Sequence, residues 1–92
     1  MPLEKQIVDS IVKYLRGLPQ CVVRKRHGTA FGVAGDPDLY GSLYGRHFEL
    51  EVKRDGNPPT ALQEKRGEEW IAAGAIYGVV HSLQEAREVL GV

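Results

Sequence analysis

A single α/β domain over residues 1–92, a mixed sheet with helices packed against it, is the fold class this sequence predicts. Three stretches carry apolar residues at helical spacing, and between them lie short runs with strand character. The segment from residue 46 to residue 80 reads strand–helix–strand. Such a crossover is right-handed and sets its two strands parallel, while the preceding hairpin is antiparallel. The sheet is therefore mixed.

Each element has its own signal. Leu3 to Leu15 reads as a helix, with Ile7, Ile11 and Leu15 at intervals of four and Val8 and Tyr14 beside them. Gly17 and Pro19 stop it. Cys21-Val22-Val23 is a short strand leading into the basic run Arg24-Lys25-Arg26-His27. Residues 28 to 36 are rich in Gly and Ala and read as an irregular loop. Asp38 to Leu43 and Arg46 to Arg54 form a hairpin around Leu43-Tyr44-Gly45, although Gly41 weakens its first strand. Asp55-Gly56-Asn57-Pro58-Pro59 breaks the chain. Thr60 then caps a second helix, with Gln63 at the capping-box position and Trp70 and Ile71 on the side expected to be buried. Gly74 ends that helix. Ile76 to Val80 is an apolar strand short enough to be central in the sheet. Ser82 and Glu85 form another capping box, opening a last helix with Leu83, Ala86, Val89 and Leu90.

Composition limits the function. With 42% hydrophobic and 26% charged residues, the chain is an ordinary globular one rather than a disordered one. At 92 residues its core is small, which favours a homodimer. The lone Cys21 excludes an internal disulfide and fits a reducing compartment. No charged-then-apolar leader opens the sequence, and no apolar run approaches the roughly 20 residues of a membrane span. These features point to a soluble, cytoplasmic protein without a membrane partner. Formal charge is zero, from 12 Lys+Arg against 12 Asp+Glu, so charge alone does not mark a nucleic-acid coat. The basic residues do cluster, in the run from Arg24 to His27, in Arg46-His47, in Lys53-Arg54 and in Lys65-Arg66.

The chemistry concentrates in two acidic stations. Gly35-Asp36-Pro37-Asp38-Leu39 is the first and Glu49-Leu50-Glu51-Val52-Lys53 the second. On a strand, side chains repeat every two residues. Phe48, Leu50 and Val52 therefore take one face, and Glu51 and Lys53 share the other. An aspartate from the turn brought beside that face gives two carboxylates and an ammonium at one point. This is a divalent-metal site suited to phosphodiester hydrolysis. Glu49 shares the face but lies one pleat away, at the expected rim. Glu4, at about 100° per residue, projects between Ile11 and Leu15, where a carboxylate is costly unless paired or bound to metal. Gln63 points inward between Trp70 and Gly67.

Other chemistries fit poorly. The Gly-rich stretch from Gly28 to Gly35 lacks both the Gly-Lys-Ser/Thr ending and the G-x-G-x-x-G spacing of phosphate loops. His27, His47 and His81 have no zinc-site spacing and read as surface or phosphate-contact residues. No serine sits in a nucleophile elbow. No organic cofactor is implied.

Taken together, Gly35-x-Pro37-Asp38-Leu39, Glu51-x-Lys53 and Thr60-x-x-Gln63, set in an α-β-β-β-α-β order, resemble the PD-(D/E)XK nuclease superfamily. The match is to its small VRR-NUC (virus-type replication-repair nuclease) branch, in the form of compact stand-alone phage-type members. The resemblance runs from Glu4 to about Leu90. It implies a restriction-endonuclease-like αβββαβ core with an added C-terminal helix. Asp38 and Glu51 would bind Mg²⁺ or Mn²⁺, joined by the Val52 carbonyl, with Glu4 at a second ion or at a water of the first. Lys53 would be the motif lysine and Gln63 the helix residue bordering the site, with Asp36 secondary. Neighbouring carboxylates favour a charged Lys53, which suits orienting the attacking water and stabilising phosphorane charge better than accepting a proton. Arg24, Lys25, Arg26 and Arg54 would grip the DNA backbone with little sequence preference.

The expected function is a metal-dependent endodeoxyribonuclease, homodimeric and selective for branched DNA such as Holliday junctions, phage- or prophage-encoded. The alternative is a catalytically silent nucleic-acid-binding or assembly module of the same fold. A plain α/β interaction domain with a solvated acidic strand would leave the inward Glu4 and Gln63 unexplained.

Overall fold

The computed structural model describes residues 2–27 and 32–92. Helix α1 (Glu4–Arg16) is followed by strands β1 (Cys21–Lys25), β2 (Leu39–Leu43) and β3 (Arg46–Val52), helix α2 (Ala61–Ala72), strand β4 (Ile76–Val80) and helix α3 (Leu83–Leu90). The strands lie side by side in the order β1-β2-β3-β4. β1, β2 and β3 are antiparallel neighbours, and β4 runs parallel to β3 with Glu49 opposite Tyr77 and Glu51 opposite Val79. The mixed sheet is as expected. Among the described residues β4, however, is an edge strand rather than a central one, paired with β3 alone and packed against α3.

The period-two alternation of β3 divides the molecule. Phe48, Leu50 and Val52 face α1 and α3 and join Ile7, Ile11, Val12, Leu15, Val23, Leu39, Val80, Ala86 and Leu90 in one apolar core. The opposite face carries His47, Glu49 and Glu51, and α2 lies over its β3–β4 half. α2 is an unusual covering helix: only Gly67 is buried along it, Trp70 is half-buried, and Ile71, expected inside, is 56% exposed. Gly67 is there for room. A Cβ at that position would overlap the Tyr77 ring, so the helix backbone rests directly on the aromatic side chain.

Two turns fix the registers. Tyr44 and Gly45 both take positive φ, 51° and 82°, the pairing that lets a two-residue hairpin follow the strand twist. Gly41, which weakens β2 on propensity, is needed by packing, since a Cβ there would overlap the Val22 carbonyl oxygen and crowd Phe48. The predicted caps are present. Thr60 accepts the Gln63 N–H while Gln63 Oε1 accepts the Thr60 N–H at 2.8 Å. At α3 the Ser82 hydroxyl accepts the Glu85 N–H, but Glu85 reaches back to the His81 N–H instead of closing the box on Ser82. Of the loop expected over residues 28 to 36, residues 28–31 lie outside the described residues, and the rest is free of helix and strand. No helix among the described residues is long and apolar enough to cross a membrane.

Candidate active site

Asp38 stands one residue before β2, and Glu51 near the end of β3. They meet because Leu39 pairs with Leu50 across the two strands. The Val52 N–H donates to Asp38 Oδ2 at 2.8 Å, which draws the aspartate against the β3 backbone. Glu51, only 1% exposed, hydrogen-bonds the Asp38 carboxylate. Burial, that hydrogen bond, the negative charge of Asp38 and that of Glu4 together push the Glu51 pKa up to about 9, against the pull of Lys53. Asp38, Lys53 and Glu4 therefore all lie near enough to act on Glu51. Val52 supplies both the N–H for Asp38 and the peptide between Glu51 and Lys53.

The residues fit a divalent cation in donor chemistry. Two carboxyl groups from different elements lie together, and their proximity favours the protonated form of Glu51 where an ion would otherwise supply the positive charge. Hard oxygen donors of this kind suit Mg²⁺ or Mn²⁺. Among the described residues no three His, Cys, Asp or Glu side chains form a ligand cluster, so an ion would complete its shell from backbone carbonyl, water and substrate oxygens.

Gln63 is engaged in its cap, half-buried at the start of α2. The predicted backbone grips divide. Arg24 is exposed, its guanidinium donating to the Val23 carbonyl, and Arg54 is half-exposed. Lys25 pairs with Asp9 at 2.8 Å on the α1 side of the sheet. Arg26 turns inward. Its Nη1 and Nη2 donate to the two Glu49 oxygens, at 2.5 and 3.2 Å, and its guanidinium lies 4.4 Å over the Tyr40 ring and 5.6 Å from that of Trp70. Glu49, expected at the rim, is wholly buried, because Arg26 and His47 close over it and Trp70 stacks on His47. Burial opposes the Arg26 charge, but Glu49 and Asp36 outweigh it and raise its pKa. Trp70 Nε1 donates to Asp36 Oδ1, tying α2 to the aspartate loop.

Tyr77 was not singled out from the sequence. Its hydroxyl is buried without a hydrogen-bond partner among the described residues, and burial, helped by the charges of Glu51, Glu64 and Asp38, pushes its pKa up to about 12. The signal in the sequence was Gly67, a glycine in mid-helix that needs a large neighbour to explain it.

No protein-family model and no curated protein matches the sequence. Solved structures do match the fold. One described as "VRR_NUC domain" superimposes with a TM-score of 0.79 at 26% identity, over 96% of this chain and 94% of that one. Another, described as "VRR_NUC domain protein", gives 0.78 at 21% identity, over 99% and 88%. A four-stranded mixed sheet with helices on both faces and paired carboxyls at β2 and β3 defines a restriction-endonuclease-like core, the class of a nuclease-family domain. More particularly, the chain folds as a VRR-NUC domain over nearly its whole length.

Proposed function

We propose that this domain is a metal-dependent endodeoxyribonuclease that uses Mg²⁺ or Mn²⁺ and selects branched DNA such as a four-way junction, acting as a homodimer. The observation that carries the hydrolytic reading is the Asp38–Glu51 pair, two carboxyls held in contact beside Lys53 and Glu4 at the cost of a retained proton. Asp38, Glu51 and the Val52 carbonyl would hold the ion, with Glu4 nearby. When bound, the ion supplies charge neutralisation at the scissile phosphate and eases deprotonation of the attacking water. Lys53, on the same strand face as Glu51, orients that water and stabilises charge on the phosphorane oxygens. Gln63 borders the site from the start of α2, and exposed Arg24 with Arg54 contacts backbone phosphates. The branched substrate and the dimer rest on resemblance to compact VRR-NUC members and on the small surface available for reading bases.

The test is cleavage of a labelled four-way junction, a fork and a matched duplex with Mg²⁺ or Mn²⁺, beside Lys53→Ala and Asp38→Ala. Metal-dependent cutting lost in both variants, with paired symmetric nicks on the junction, is the expected result. Intact junction binding without cleavage, indifferent to metal, contradicts it.

A further inference from the structure

Buried Glu49 and partly buried Arg26 form an ion pair that the proposed hydrolysis does not use. Losing Arg26 would leave the buried Glu49 carboxylate to His47 alone, so Arg26 does not leave Glu49 cheaply. The same arginine makes two other bonds. Its backbone N–H donates to the Asp38 carbonyl at 2.7 Å, and its Nη1 donates to the Pro37 carbonyl at 2.8 Å. These carbonyls belong to the two peptide groups on either side of the Asp38 Cα. Holding both peptide planes fixes the direction of the Asp38 side chain before the Val52 N–H receives it.

We propose that Arg26, locked in place by Glu49, is the positioning residue that aims Asp38 at Glu51; this rests on the metal-site reading of those carboxylates. The guanidinium suits the task because it is planar and forked. One nitrogen serves Pro37 and Glu49 together, the other closes the second bond to Glu49, and the flat faces lie near Tyr40 and Trp70. Lysine would keep the charge and lose the fork. Asp36, 3.9 Å from Arg26 Nε and bonded to Trp70, holds the loop from its other side. Arg26 thus works inward on the aspartate loop, and phosphate gripping falls to Arg24 and Arg54.

Arg26→Lys and Glu49→Gln would be compared with the unaltered domain by three readouts. Amide hydrogen exchange at Val52 reports the Asp38 seat directly, with Leu50 as the neighbouring reference. Mn²⁺ affinity and metal-free junction affinity across a salt series are the others. The expected result is Val52 exchange faster by about tenfold with Leu50 unchanged, a similar loss of Mn²⁺ affinity, and an unaltered salt slope for DNA. Unchanged Val52 exchange, or equal acceleration at Val52 and Leu50, overturns the proposal. So does weakened DNA binding with a salt slope reduced by about one, which would make Arg26 a phosphate contact. If the unaltered domain binds no Mn²⁺, the metal reading fails, while the exchange data still decide whether Arg26 seats Asp38.

Discussion

At neutral pH the Glu51 carboxyl keeps its proton and donates it to Asp38, so a glutamine at this position preserves the hydrogen bond and removes the charge problem. Glu51→Gln is expected to match the unaltered domain in thermal midpoint near pH 4 and to exceed it increasingly from pH 6 to pH 9, while losing cleavage. Thermal melts at these pH values, beside a nuclease assay, check this. Tyr77→Phe removes an unpartnered buried hydroxyl and is expected to be neutral or stabilising by up to about 1 kcal/mol. Glu49→Ala does the reverse, leaving Arg26 with the more distant Asp36 as its counter-charge, and should cost about 1–3 kcal/mol in denaturant unfolding. The sequence showed that Glu49 and Glu51 share a face, because alternation fixes faces. It could not show that Arg26, His47 and Trp70 close over one of them, since cover comes from distant elements.

The elements themselves were largely legible, because each carries local punctuation. Thr60 and Gln63 announce α2, and Tyr44-Gly45 announces the hairpin. What local signals miss is placement. Ile76 to Val80 reads as a central strand from its apolar run, yet only Val80 is fully buried, and its cover comes from α2 and α3 on its two faces rather than from a second neighbouring strand among the described residues. Ile71 reads as inward, but α2 is held over the sheet by Gly67 and Trp70, which turns Ile71 outward. Thr60→Ala should lower stability by about 1 kcal/mol, read from denaturant midpoints. At the start of α3, His81 and Glu85 pair. The Glu85 hydrogen bond raises the His81 pKa above 6.5, and the same bond lowers that of Glu85 below 4.5. The raised histidine stabilises below about its unfolded value and loses this as pH climbs through its folded one. The lowered glutamate stabilises above its unfolded value and loses this as pH falls through its folded one. The pair thus contributes most between pH 4.5 and 6.5, and Glu85→Gln should narrow the thermal-midpoint difference between pH 6 and 9.

For the molecule as a whole, the candidate site works against the fold until a cation arrives. A carboxyl raised from 4.5 to about 9 gives stability that is complete at low pH and drains away as pH rises toward 9. A divalent ion that displaces the proton reverses this drain. Mg²⁺ or Mn²⁺ should therefore raise the thermal midpoint more at pH 8 than at pH 6. The measurement that tests the central claim most directly is calorimetric titration of Mn²⁺ into the domain at pH 7, repeated in buffers of different ionisation heat and with Asp38→Ala. The account predicts release of about one proton per ion bound, taken from Glu51, and loss of binding in the variant. Binding without proton release, or binding that survives Asp38→Ala, would contradict it.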